Sequence, residues 1–220
     1  MKAFRPLLAS VVVLVTTAGA VLAEPVTYTI DPSHSQVGFN VRHFFSRVPG
    51  RFNDFEGTVT YDDKDLSKSA VDVTIKTASI YTNNDRRDNH LRSADFFAAD
   101  SFPTITFKST KITPAGEGKY KVDGNLTIRG ITKPVTLDTS FLGAGSVGQM
   151  GLRAGWEATT TVNRKDFNVL WNRVLDQGGT MLGDDVAIQI GVEGMKRPDN
   201  MPAGGPPPGA AAAKPPGGKK

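Results

Sequence analysis

Cysteine is absent from this 220-residue chain. That excludes disulfides, even in a compartment that would permit them, and it excludes a lipid attached through an N-terminal cysteine. The fold must be held by its core, which a domain of this size can bury. Histidine is scarce, with only His34, His43 and His90. These three lack the close pairing of a zinc helix and have no thiolate to help them, so neither a metal nor any other cofactor is expected. His34 is expected to bond strand or turn backbone, and His90 to sit on a polar segment. The nucleophile elbow GxSxG is missing. Gly143 to Gly148 spells GxGxxG, but a strand-like stretch follows it where a dinucleotide site needs a helix. Asp62, Asp63 and Asp65 lack the glycine and closing glutamate of a calcium loop and read as a solvated turn. Asn125-Leu126-Thr127 is a glycosylation triplet inside an expected strand and carries little meaning alone.

A charge excess is also lacking where it would count. The formal charge is +4. Setting aside Lys2 and Arg5 at one end, and Lys214, Lys219, Lys220 and Asp199 at the other, leaves 21 basic and 21 acidic residues. A nucleic-acid partner is therefore not expected, since binding phosphates needs a concentrated basic face. The apolar run Leu7 to Leu22 is interrupted by Ser10, Thr16, Thr17 and Gly19 and falls short of a comfortable membrane span. With a basic start and a small-residue site at Val21-Leu22-Ala23, residues 1–23 read as a cleaved signal peptide. Glu24 is then expected to be the first residue of the mature, exported protein. The stretch Met201 to Lys220 is rich in Pro, Gly and Ala with no large apolar residue after Met201. Residues 198–220 are expected to form a disordered tail, leaving 24–197 as one domain.

Within that domain the dominant signal is alternation of period two. Val37, Phe39 and Val41 share a face; so do Phe55, Val59 and Tyr61, and Val71, Val73 and Ile75. Ile105 pairs with Phe107, Val122 with Leu126 and Ile128, and Val135 with Leu137. Trp156, Ala158 and Val162 follow, then Val186, Ile188, Ile190 and Val192. Turn signals lie at Asp62-Asp63, Pro114 to Gly118, Gly130, and Gly143 to Gly151. The expected fold class is all-β, with about eight or nine strands, each half buried. Closure into an antiparallel barrel of about eight strands hides one face and leaves no edge.

Such a barrel is either filled by side chains or holds one small ligand. Small residues beside aromatics lean toward a cavity: Gly38 by Phe39, Gly57 near Phe55, Gly124 before Leu126 and Gly155 before Trp156. All four are expected to face inward, where glycine marks a bend or the close approach of a ligand. Alternation stops at Thr82 to Ser109. There a charged segment, expected to be helical over Asp88 to Phe97, gives way to a strand after Phe102-Pro103. A lone polar helix adds little to a β core but suits a barrel mouth. Arg86, Arg87, Asp88 and Arg92 lie on it. Arginine offers a fork suited to phosphate or carbonyl oxygen; the plainer alternative is an Arg–Asp pair that orders the helix start.

The chain resembles the YceI family of exported proteins. The resemblance rests on DPSHSQVGFNVRH (Asp31, His34, Ser35, Phe39, His43), VPGRFNDFEG, SIYTNNDRRDNHLRSADFF with FPTITFKS, and GNLTIRGITKPVTL. It covers nearly all of Tyr28 to Glu193. It is weaker in NRKDFNVLWN, where the family usually has glycine at the position of Asn168; asparagine tolerates a left-handed backbone. The resemblance implies a lipocalin-like barrel with an apolar tunnel, a long polyisoprenoid lipid of quinone or polyprenyl phosphate type, and a periplasmic carrier role rather than an enzyme. Burying fifteen prenyl carbons gains about 12 kcal/mol gross, so polar mouth groups would choose the head group rather than set the affinity. The expected ligand-binding residues are Phe39, Phe55, Ile75, Phe107, Leu126 and Trp156 in the tunnel and Arg87, Asp88 and His90 at the mouth. Two alternatives stand beside the carrier: a polyprenyl pyrophosphate enzyme using the mouth residues, and a structural envelope protein with a filled barrel. Transient membrane contact and a homodimer also stay open.

Overall fold

The computed structural model describes residues 24–175 and 178–196. The expected signal peptide and the expected tail lie outside these residues. Eleven strands form one antiparallel sheet that closes on itself. Three of the barrel's long strands are each broken in two. β1 (Val26–Ile30) and β2 (Gln36–His43) lie end to end along β11 (Leu182–Lys196). β3 (Ser46–Phe52) pairs with β2, and β4 (Phe55–Tyr61) with β1. β5 (Ala70–Lys76) continues the wall beyond β4, and the two-residue β6 (Ile80–Tyr81) does so beyond β3. Unbroken strands complete the circuit: β7 (Thr104–Gly116), β8 (Lys119–Ile128), β9 (Ile131–Ser146), β10 (Leu152–Asn163) and then β11. Counting each broken strand once gives the eight staves of a closed antiparallel barrel.

The breaks have local causes. Pro32 interrupts the first stave and removes a backbone donor. The second turns at Asn53-Asp54, where the Asp54 carbonyl accepts the Lys76 N–H. The third pauses in a short 3-10 turn, Thr77–Ser79, where the buried Thr77 hydroxyl donates to the Phe102 carbonyl at 2.7 Å. Hairpin β8–β9 turns on Arg129 and Gly130 at φ 51° and 70°, the pattern of a two-residue type I′ turn. Asp62, expected in a solvated turn, is buried. Its Oδ1 accepts the N–H groups of Lys64 and Asp65, so the turn is wound around a carboxylate.

The helix α1 runs Asp85–Arg92, three residues ahead of the expected start. Asn84 sets that start: its Oδ1 accepts the Arg87 N–H at 3.0 Å, a cap that a hydrophobic-pattern search does not see. Asp85 and Asp88 in the first turn favour the same end of the helix dipole. At Ser93 the backbone turns extended and the helix stops, so Ala94 to Phe97 are turn rather than helix. Because β6 ends early and β7 begins late, α1 and the turns after it bridge the gap at one end of the barrel.

Candidate functional site: an apolar cavity inside the barrel

The inward faces of the staves do not meet. They enclose a cavity of about 940 Å³, large for a small-molecule site. Phe39, Phe55, Ile75, Phe107, Leu126 and Trp156 all line it. Alternation put them there, since each shares a face with the other inward residues of its strand. Glycines partly explain why the interior stays open. A Cβ on Gly124 would lie 2.6 Å from Cε2 of Phe107 and 2.7 Å from the Lys108 carbonyl oxygen. The Phe107 ring therefore lies flat on the wall, in space that only glycine leaves free. Gly50 does the same for Phe39, where a Cβ would fall 2.7 Å from Cε2. Of the four glycines expected to face inward, Gly57 and Gly124 do. Gly38 and Gly155 alternate with the lumen-facing Phe39 and Trp156, so a Cβ there would point outward, although Gly38 still borders the cavity through its backbone.

At the end away from α1, aromatic rings pack across the barrel. Tyr61, Phe141 and Trp156 lie with centroids 5.1–6.2 Å apart. The Tyr61 and Tyr120 hydroxyls meet at 2.8 Å, and Tyr28 sets its ring edge-on to Trp156. Burial, then the hydrogen bond and charge of Tyr120, push the Tyr61 phenol well above its ordinary value. Burial raises Tyr28 too.

The other end is polar. Asn84, Arg86, Arg87, His90 and His43 reach the cavity there. Arg87 is already committed: Nε donates to the Thr82 hydroxyl at 2.7 Å and Nη2 to the Thr82 carbonyl at 2.6 Å. Asp88 does not line the cavity. It is buried, and its Oδ1 accepts both the N–H (2.9 Å) and the hydroxyl of Thr82. The Arg–Asp pair weighed from sequence is thus replaced by two residues that each hold Thr82. His90 bonds Asp95 through Nε2 at 2.8 Å and sits edge-on to Phe96 and Trp171, 5.0 Å from each. Arg92 donates to the carbonyls of Ala78 and Ile80, tying α1 to the broken third stave.

Several mouth residues were not legible beforehand. Phe96, Phe97, Val169, Trp171 and Met181 line the cavity from segments without alternation. The Trp171 segment is held by Arg164, whose buried guanidinium donates to the carbonyls of Val169 (2.6 Å), Trp171 (3.0 Å) and Gly183 (2.9 Å) and to Asp184 (2.9 Å). Desolvation lowers the Arg164 pKa from its usual value, against the pull of Asp184. Asn168 takes φ 58° and ψ 29°, the left-handed turn.

Outside the cavity, Asp31, His34 and Glu193 bring ligand atoms within 4.8 Å of one another. The Arg153 guanidinium donates to both carboxylates, so a positive charge already occupies the position a metal would need. His34 bonds the Asp31 carboxylate at 2.9 Å, rather than the backbone bond expected of its ring. Burial raises the Asp31 pKa, but hydrogen bonds from His34, Arg153 and the Ser33 N–H outweigh it, and the carboxyl sits below its ordinary range.

The structure is a closed antiparallel barrel with a largely apolar cavity inside it and basic side chains at one end. The chain belongs to the YceI-like domain family, which matches residues 28–194. It is 43% identical over 192 residues to a UPF0312 protein of Serratia proteamaculans, covering 84% of this chain and 96% of that one. It superposes on the crystal structure of Burkholderia cenocepacia BcnA with TM-score 0.67 and 26% identity, over 74% of this chain and 98% of that one. The same fold recurs in a polyisoprenoid binding domain from Saccharophagus degradans, with TM-score 0.57 and 12% identity, over 78% of this chain and 99% of that domain. Among the described residues, no helix is long and apolar enough to cross a membrane.

Proposed function

We propose that this protein is a periplasmic carrier, not an enzyme, which holds one long polyisoprenoid lipid of quinone or polyprenyl type in its barrel. The observation that carries this is the cavity of about 940 Å³ with a largely apolar wall and its basic side chains gathered at one end. β10 has 12 residues; at the usual rise and barrel tilt its axial reach is roughly 30 Å. That suits an extended chain better than a compact ligand. The isoprenoid chain would lie against Phe39, Phe55, Ile75, Phe107, Leu126 and Trp156, with its head group near Arg87 and His90. Asp88 supports the mouth through Thr82 without touching the ligand. The fold shared with a polyisoprenoid binding domain points the same way. The carrier reading rests on the apolar wall of the cavity; the His90–Asp95 bond at the mouth is the arrangement an enzyme would use to orient a base, which makes His90 the residue on which to test that alternative. Organic extraction of freshly purified protein, followed by mass spectrometry, is the test. One isoprenoid lipid per chain is expected; an extract without lipid would refute the carrier. Time-dependent phosphate release from a prenyl pyrophosphate, lost in His90→Ala, would instead favour an enzyme.

A further inference from the structure

The β2–β3 hairpin is built against its own comfort. Its two turn residues are Phe44 and Phe45, between the paired His43 and Ser46. Phe44 sits at φ 50°, where a two-residue hairpin normally places glycine, and an aromatic residue there is strained. Phe45 is fully exposed at 105% of its reference surface. Arg42 and Arg47 stand directly opposite each other on the outer face, and like charges in that position destabilise a strand pair. Arg42 donates to the Phe44 carbonyl. Neither arginine meets a carboxylate among the described residues.

The feature continues across the mouth. The Phe44 N–H donates to the Met181 carbonyl at 2.9 Å, joining the hairpin to the small loop closed by the Val174–Thr180 bridge. Val174 is 76% exposed there and Leu170 56%, with the exposed Arg173 between them. Arg86 adds a cation at the cavity rim. Among the nearby described acids, Asp184 is neutralised by Arg164 and Lys165, Asp185 accepts from the Asn163 amide at 3.4 Å, and Asp85 is exposed on α1. Apolar tips flanked by arginines that meet no carboxylate among the described residues, around the opening of an apolar cavity, match the chemistry of a bilayer interface carrying anionic head groups. The far end of the barrel also exposes Leu142, Val147 and Met150, but no charged residue lies between Phe141 and Leu152.

We propose that the mouth docks on an anionic lipid surface, with Phe45 inserted among the acyl chains and Arg42 and Arg47 on the phosphates, so that the cavity opens onto the membrane. The proposal rests on the carrier function for its purpose but not for its measurement. The test is sedimentation of the full chain with vesicles of phosphatidylcholine alone and of phosphatidylcholine mixed with phosphatidylglycerol. Binding is expected only to the mixed vesicles and should weaken as salt rises. Phe45→Ser should weaken it about tenfold, and Arg42→Gln with Arg47→Gln about thirtyfold. The far-end control Met150→Ser should bind as the parent does. Circular dichroism identifies any variant that fails to fold, and Phe45→Leu, which keeps an apolar tip, should restore most of the binding. No binding by the parent, equal binding by Phe45→Ser, or an equal loss in Met150→Ser would overturn the proposal. Organic extracts of the same samples score the carrier separately. A parent that sediments with vesicles but carries no lipid refutes the carrier alone; one that carries lipid but never sediments refutes the docking alone.

Discussion

Replacing Gly124 by alanine tests how the barrel stays hollow. The added methyl would lie 2.6 Å from the Phe107 ring and 2.7 Å from the Lys108 carbonyl oxygen. Carbonyl oxygens of a paired strand yield little, whereas the ring has the cavity to swing into. Overpacking in a filled core costs about 1–3 kcal/mol. Here part of that cost is relieved because Phe107 can leave the wall, so a loss near 1 kcal/mol is expected, lowering Tm by about 2–4 °C for a domain of this size. The displaced ring then obstructs the lumen, and the lipid recovered per chain should fall. Adding Phe107→Leu removes the clash with the ring but not that with the carbonyl. The double variant should regain cavity and lipid with a coupling energy of about 0.5–1 kcal/mol. Thermal unfolding and lipid extraction on the four proteins measure both effects. If Gly124→Ala keeps its full lipid load and its Tm, or if Phe107→Leu brings no recovery, the wall geometry argued above is wrong.

Other perturbations follow from the same structure. Phe107→Arg puts a charge into an apolar lumen, which is costly without a partner; a folded variant should retain no lipid in an organic extract. Arg164→Leu leaves the Val169, Trp171 and Gly183 carbonyls without their buried donor, and a loss of about 3–5 kcal/mol is expected in denaturant unfolding. Hydrogen exchange should rise first in the Trp171 segment. Asp31 has a depressed folded pKa, so its stabilising effect is complete above the unfolded value of about 3.9 and disappears as pH falls through the lower folded value. Asp31→Asn should therefore be less stable than the parent at neutral pH, with the difference shrinking in acid.

How much was legible beforehand depended on the kind of signal. Alternation is a property of one strand, and it placed Phe39, Phe55, Ile75, Phe107, Leu126 and Trp156 on one face without knowledge of their neighbours. Glycine gives no such sign, because its direction shows only in its neighbours: Gly38 and Gly155, expected to face inward, stand at outward positions of their strands, and Gly38 borders the cavity only through its backbone. The mouth was legible as a charged interruption, but its detailed bonding was not. Thr82 gathers Arg87 and Asp88 through contacts five and six residues away, and no pairing of opposite charges in the sequence reveals an unlike pair bound to a third residue. Trp171 and Arg164 act through carbonyls, which every residue possesses, so their partners carry no sequence signature. The three broken staves stayed hidden for a similar reason: each half alternates correctly, and only pairing across the sheet shows two halves sharing one line.

The central claim is that the barrel interior is an occupied lipid tunnel rather than a void or a packed core. A crystal structure of the protein as isolated from the cells that produce it is the decisive experiment. Continuous, elongated electron density is expected to run from the rim at Arg86 and His90 past Phe107 toward Trp156. Side chains collapsed onto one another along that path, or ordered water in place of a chain, would contradict it.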